Sequence, residues 1–243
     1  MASLVPSSLG FLYLERGSSP QVVKPGALLN PSTFDFPIIG ETVAGAWVDR
    51  VLPGDPTLAP ACIAAAQKLV SRGAVAISGN CGFFIRHQAA VAAAVKVPVA
   101  LSSLLLIPIL LRQLPSNAKL GVLTADSTHF SDDMLDGYGA GDRARIVVGG
   151  IEGGAFMRSE MMRPPPPTDD ADIEADVVAR IERMRADHPE IAALLFECTA
   201  FPRIAPSVRR RTGLPIYDIT TLCRMTMESV TNYGGHTGIL FFP

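Results

Sequence analysis

Two short stretches of this chain repeat one another. Cys81 lies in Ile77-Ser78-Gly79-Asn80-Cys81-Gly82-Phe83-Phe84, and Cys198 in Leu195-Phe196-Glu197-Cys198-Thr199-Ala200-Phe201. Each cysteine follows an apolar run and has a phenylalanine three positions on (Phe84, Phe201). Seventeen positions after each stands a proline inside an apolar segment, Val97-Pro98-Val99 and Leu214-Pro215-Ile216. The echo reaches back to the first apolar stretch of each half, at residues 9–14 and 120–124. Only two copies are present, so the pattern is an internal duplication of two domains and not a solenoid.

Each copy runs in the same order: strand, long irregular segment, helix, apolar strand, cysteine loop, helix, proline-containing strand, helix. The first irregular segment is read over 16–56, and the second contains Pro164-Pro165-Pro166-Pro167, which is expected to be extended and exposed. Helices are predicted over 57–72, ending at Gly73, and over 172–187, which is acidic in its first turn and stops before Pro189. The continuous apolar runs at 74–78 and 191–196 fit parallel strands buried on both faces. Further helices are expected over 86–95 and 204–211, and Ser102-Ser103-Leu104 and Thr220-Thr221-Leu222 open one more in each half. This alternation implies an α/β chain with a doubly wound parallel sheet in each half. Ligands of such sheets bind beyond the carboxyl ends of the strands, where both cysteines fall.

Composition narrows the function. The 243 residues, 48% hydrophobic, suffice for one large core or two small ones. A net charge of −2 offers no basic footprint for nucleic acid. The four cysteines show no C-x-x-C spacing and form no ligand cluster with the four histidines, so neither a structural metal nor a disulfide framework is expected. The start of the sequence lacks a basic, cleavable leader, and the apolar run at 97–111 is too short for a membrane span and holds Pro98 and Pro108. The expectation is a cytoplasmic protein without membrane or nucleic-acid partners, with room for a homo-oligomer.

A thiol between a strand end and a helix start lies near unpaired backbone N–H groups and the positive helix end, which lower its pKa and also bind carboxylates. Gly82 permits close backbone approach to a ligand, and Asn80 and Thr199 add side-chain donors. Each half thus offers a base and part of a carboxylate clamp. Two bases on opposite faces of one carbon suit racemisation: one thiolate removes the proton α to a carboxyl group and the opposite thiol returns a proton. No cofactor is required. Cys62 and Cys223 read as packing residues, His87 as a surface or packing residue, and Glu197 as either orienting substrate or capping its loop.

The motifs Gly79-Asn80-Cys81-Gly82-Phe83 and Glu197-Cys198-Thr199, with Gly213-Leu214-Pro215-Ile216-Tyr217-Asp218 after the second, resemble the aspartate/glutamate racemase superfamily. That superfamily includes cofactor-independent amino-acid racemases, hydantoin racemases, maleate isomerases, arylmalonate decarboxylases and the algal, Alma-like dimethylsulfoniopropionate lyases. The resemblance implies two flavodoxin-like domains related by a pseudo-twofold axis, with the active site in the cleft between them. It implies a first domain over 1–114 plus 222–243, the last helix returning to it, and a second over 115–221. It places Cys81 and Cys198 in the catalytic positions and Asn80, Gly82, Phe83, Thr124 and Thr199 at the substrate carboxylate. The loop after Leu14 is expected at the cleft, with Glu15 as a substrate-binding candidate and Tyr13 and Phe84 as further groups for a cationic substrate. Two thiols disfavour a decarboxylase of the arylmalonate kind. Glu15-Arg16-Gly17 and the apolar Gly82-Phe83 wall look closer to the Alma-like branch. The leading expectation is a racemase or epimerase of a small carboxylate such as an amino acid. The alternatives are a β-eliminating dimethylsulfoniopropionate lyase and a non-catalytic carboxylate-binding protein.

Overall fold

The computed structural model describes residues 7–17 and 23–231. The first half builds a four-stranded parallel sheet from β1 (Ser8–Tyr13), β2 (Ile38–Thr42), β3 (Ala74–Gly79) and β4 (Val99–Ala100), in the order β2-β1-β3-β4. The second half builds β6-β5-β7-β8 from β5 (Lys119–Thr124), β6 (Ile146–Gly150), β7 (Ile191–Phe196) and β8 (Ile216–Tyr217), again parallel throughout. The duplication extends to a detail: the register of β1 against β3 shifts at Ser8/Leu9, and that of β5 against β7 at Lys119/Leu120.

The inner strands are buried because their sequences are apolar on both faces. Leu9, Phe11, Leu12 and Ile77 in one sheet, and Leu120, Val122, Leu194 and Leu195 in the other, are inaccessible to solvent. The edge strands β2 and β6 do not emerge from sequence patterning. They are short, mostly half-exposed, and end in Gly-Glu-Thr and Gly-Gly, so neither alternation nor an apolar run marks them. The segment 16–56 is therefore less irregular than expected.

The expected helices form with shifted bounds, at Ala59–Ser71, Gln88–Ala94, Ile107–Gln113, Asp170–Asp187, Ala205–Thr212 and Ile219–Val230. In the proline run Pro164, Pro166 and Pro167 are exposed as expected, whereas Pro165 is buried; Pro165, Pro166 and Pro167 border the cleft. After each cysteine the chain makes a tight 3-10 turn, Gly82–His87 or Phe201–Arg203, before any α-helix begins.

The helix Ile219–Val230 packs on β3, β4 and the turn Ser103–Leu106 of the first half. Cys223 donates to Ser78 Oγ at 3.4 Å, and Arg224 to the Thr33 carbonyl at 2.7 Å. The expected domain segments 1–6 and 232–243 lie outside the described residues. Asp218 caps this helix, its Oδ1 accepting from the amide of Thr220 at 2.8 Å and of Thr221 at 3.4 Å. Asp218→Ala is expected to cost about 1 kcal/mol, read as a lower denaturation midpoint with an unchanged slope.

The halves are joined across the cleft. Ser103 Oγ donates to the Phe196 carbonyl at 2.8 Å, and Tyr138 OH to that of Leu104 at 2.9 Å. Arg86 reaches from the first half to the His129 carbonyl at 2.8 Å and Asp133 Oδ2 at 2.6 Å. Among the described residues no helix is long and apolar enough to cross a membrane, and no group of His, Cys, Asp and Glu could hold a metal ion.

Candidate functional site

Both cysteine loops leave the carboxyl ends of central strands, β3 and β7, and converge on one hollow of about 60 Å³. Cys81, Asn80, Gly82 and Phe83 line it from the first half, and Cys198, Glu197 and Thr199 from the second. Cys81 is close enough to Cys198 for its charge, when ionised, to raise the Cys198 thiol's pKa. The loops are tied together: Thr199 Oγ1 donates to the Asn80 carbonyl. Asn80 also braces the end of β1, its Oδ1 accepting from Leu14 N at 2.8 Å and its own N–H donating to Leu12 O at 2.9 Å. That leaves the Asn80 amide NH₂ without a protein acceptor among the described residues.

Two expected binding residues are elsewhere. Thr124 is fully buried and does not line the hollow; its hydroxyl donates to Glu197 Oε2 at 2.9 Å. Glu15 is turned to the Gly45 turn, where its Oε2 accepts the Gly45 amide at 2.6 Å. A backbone donor with no helix or sheet partner claims that carboxylate first. Tyr13 stacks on Phe11 with centroids 6.3 Å apart, and Phe84 is a core residue; neither faces the hollow. His87 is buried beside Phe84, which lowers its pKa and keeps it neutral.

The structure adds residues that no local motif marks. Arg16, just past β1, forms an ion pair with Glu160, from the helix Ala155–Glu160 of the second half. These two, with Asn80, Phe156, Thr199 and Ala200, line both the inner hollow and an outer one of about 160 Å³. The outer hollow is flanked by Lys24, Arg203 and the proline run. Arg16 could be suspected from its place in the cleft loop. Glu160 and Phe156 lie on the short helix after β6, in the place that the helix Val48–Val51 takes after β2.

The electrostatics correct the expectation of primed thiolates. Burial pushes the Cys81 thiol up to about 12, and the Glu197 charge adds to it; the Phe83 amide and Arg16 oppose. Cys198 is raised well above an ordinary thiol by burial, then by Glu197 and Cys81, with the Ala200 amide opposing. The paired amides sit at equivalent places in the two loops, so the expected donors exist. They stand at the start of short 3-10 segments, which lack the aligned dipoles of a long helix, and desolvation wins. Burial also pushes Glu197 up to about 7, against the Thr124 hydrogen bond and the Arg86 charge.

No family model matches the sequence. The chain is 29% identical over 220 residues to a dimethylsulfoniopropionate lyase of Durusdinium sp. clade D, covering 87% of this chain and 71% of the relative. It is 32% identical over 173 residues to dimethylsulfoniopropionate lyase 5 of Emiliania huxleyi (strain CCMP1516), covering 65% of this chain and 34% of that longer protein. In fold it is similar to allantoin racemase from Klebsiella pneumoniae, with a TM-score of 0.63 at 10% identity over 97% of this chain and 96% of the other. It is also similar to unliganded arylmalonate decarboxylase, with a TM-score of 0.54 at 19% identity over 96% of each. Glutamate racemase from Campylobacter jejuni subsp. jejuni gives 0.55 at 15% identity, over 93% of this chain and 86% of the other. The chain thus shares its two-sheet α/β fold with these racemases and the decarboxylase, and in sequence it is similar to proteins named dimethylsulfoniopropionate lyases.

Proposed function

We propose that this protein is a cofactor-independent lyase that cleaves dimethylsulfoniopropionate to acrylate and dimethyl sulfide in the hollow between Cys81 and Cys198. The observation that carries the reading is the Arg16–Glu160 pair, one charge from each half, on the wall of an otherwise largely apolar hollow that holds both thiols. A zwitterion with a carboxylate and a sulfonium a few bonds apart can exchange partners with this pair. Its carboxylate goes to Arg16 and the Asn80 amide, and its sulfonium to Glu160 beside the Phe156 ring. The kinship to proteins named as lyases points the same way.

In the reaction a thiolate takes the proton α to the carboxylate. The bond from the β-carbon to sulfur breaks, and dimethyl sulfide leaves with the electron pair. Charge developing at the carboxylate during proton removal is met by the Arg16 guanidinium and the Asn80 NH₂ group. The test is the purified protein with millimolar substrate, with dimethyl sulfide followed in the headspace and acrylate in solution. Equal amounts of both support the reading, and neither from a folded protein overturns it. Arg16→Ala and Glu160→Gln should each raise KM about 10- to 100-fold, the range for losing a charged hydrogen bond. Glu160→Gln should leave inhibition by acrylate, which carries no cation, largely intact.

A second reading, racemisation of a carboxylate-bearing substrate such as an amino acid, is favoured by the symmetry of the two thiols, each facing a backbone amide from its own loop. It predicts α-deuteration of both enantiomers in deuterated water without loss of a β-group.

A further inference from the structure

Glu197 is a buried carboxyl group that the reaction as described does not use. It is 1% exposed, and its Oε1 has no hydrogen-bond partner. Its other oxygen is held by Thr124, and its backbone N–H by the Leu123 carbonyl at 2.8 Å, so the side chain is fixed. No cation forms an ion pair with it among the described residues. Arg86, whose charge acts on it, is spent on Leu52, His129 and Asp133. A buried carboxylate with a free oxygen and no counter-ion is costly, and it persists only where something compensates.

Its position supplies the reason. Glu197 precedes Cys198 in the chain, and its Oε1 lies against Gly82, the neighbour of Cys81. A β-carbon placed on Gly82 would sit 2.2 Å from that oxygen. Oε1 therefore stands between the two cysteine loops, on the wall of the hollow that both thiols line. The charged and titratable groups around it are Cys81 and Cys198, Arg86 from the turn Gly82–His87, and the Arg16–Glu160 pair that lines the same hollow.

We propose that Glu197 is a third proton-handling group of this site, the internal acceptor that takes the proton of a buried thiol and so lets that thiol act as a base. A dry site holds one negative charge far more readily than two. Carboxylate plus thiol going to carboxylic acid plus thiolate moves the charge without adding to it. The S–H bond breaks, an O–H bond forms on Oε1, and the thiolate then takes the substrate's α-proton. After the β-sulfur bond breaks and the products leave, the carboxylic acid returns its proton to solvent. This matches the one proton released per elimination. The role rests on the proposed proton removal α to a carboxylate, and it holds for racemisation as for elimination.

The test pairs the pH dependence of turnover with ultraviolet titration of the thiolates in the free enzyme, for the wild type and the isosteric Glu197→Gln. The wild type should gain activity as pH rises through about 7, where the carboxyl becomes the charged acceptor. Glu197→Gln should lose about 100-fold at neutral pH, lack that limb, and recover toward high pH, where the thiols ionise unaided. Its thiolate absorbance should appear at lower pH than in the wild type, because the repelling carboxylate is gone. A residue that only shapes the loop would move neither curve, and a charge that only suppresses the thiols would give a more active glutamine variant; either result overturns the proposal. Should Glu197→Gln not fold, Thr124→Val removes the donor to Oε2 and should shift the limb to higher pH; an unmoved limb is a negative result. If the wild type releases no dimethyl sulfide, the lyase reading fails alone, since the thiolate titration still reports whether Glu197 shares its charge with the cysteines.

Discussion

Replacing by alanine whichever of Cys81 and Cys198 removes the α-proton lowers turnover by about 10²- to 10⁴-fold, the contribution expected of a positioned general base. The two single variants also discriminate between the candidate reactions. Elimination needs one base, so one variant should stop α-proton exchange and product formation together, while the other leaves measurable exchange. Racemisation needs a proton path on each face, so each variant should keep exchange of a single enantiomer. Cys62→Ala is the control. That thiol is buried in the helix Ala59–Ser71, away from the hollow, and its loss should leave kcat unchanged. Equal activity of the Cys81 and Cys198 variants with the wild type, by headspace assay and α-deuteration, would remove the thiols from the mechanism.

Gly82→Ala should be nearly as damaging, for a steric reason. The new methyl group would lie 2.2 Å from Glu197 Oε1 and 2.4 Å from the Glu197 carbonyl oxygen. The carboxylate could rotate at the expense of its Thr124 bond, but the carbonyl belongs to the backbone that carries Cys198. Relief therefore means displacing one cysteine loop against the other. The expected cost is roughly 1–3 kcal/mol of stability, typical of overpacking. Activity should fall about 100-fold, as for a misplacement of around an ångström at reacting groups. Unfolding midpoints and kcat measured on the same preparation check both. A variant with wild-type stability and turnover would mean that the loops are not in this contact.

Several features of the fold and the site are legible along the chain because they are local or duplicated. Gly82 next to Cys81, Thr199 next to Cys198 and the prolines at equal spacing recur within short stretches. The apolar runs of β3 and β7 announce buried parallel strands by themselves. Edge strands such as Ile38–Thr42 leave no such mark, because a half-exposed strand of five residues needs no apolar pattern. Thr124 and Glu15 show the limit of residue type as a guide. Each is a polar group of the right kind near a strand end, yet one is consumed by Glu197 and the other by the Gly45 amide. Which partner a polar group finds depends on what folding brings within about 3 Å of it, and strand order does not encode that.

The sequence by itself determined the duplication, the parallel α/β architecture and the meeting of two cysteine loops at the carboxyl ends of central strands, since periodicity and spacing carry those. Only the tertiary structure decided the charge state and the company of the thiols. Helix-start amides argue for thiolate, but burial and the neighbouring Glu197 outweigh them. Likewise only the packing of one half on the other sets Arg16 against Glu160, residues 144 positions apart. Both outcomes rest on desolvation and short-range electrostatics, which are summed over three-dimensional neighbours and have no signature in the order of residues.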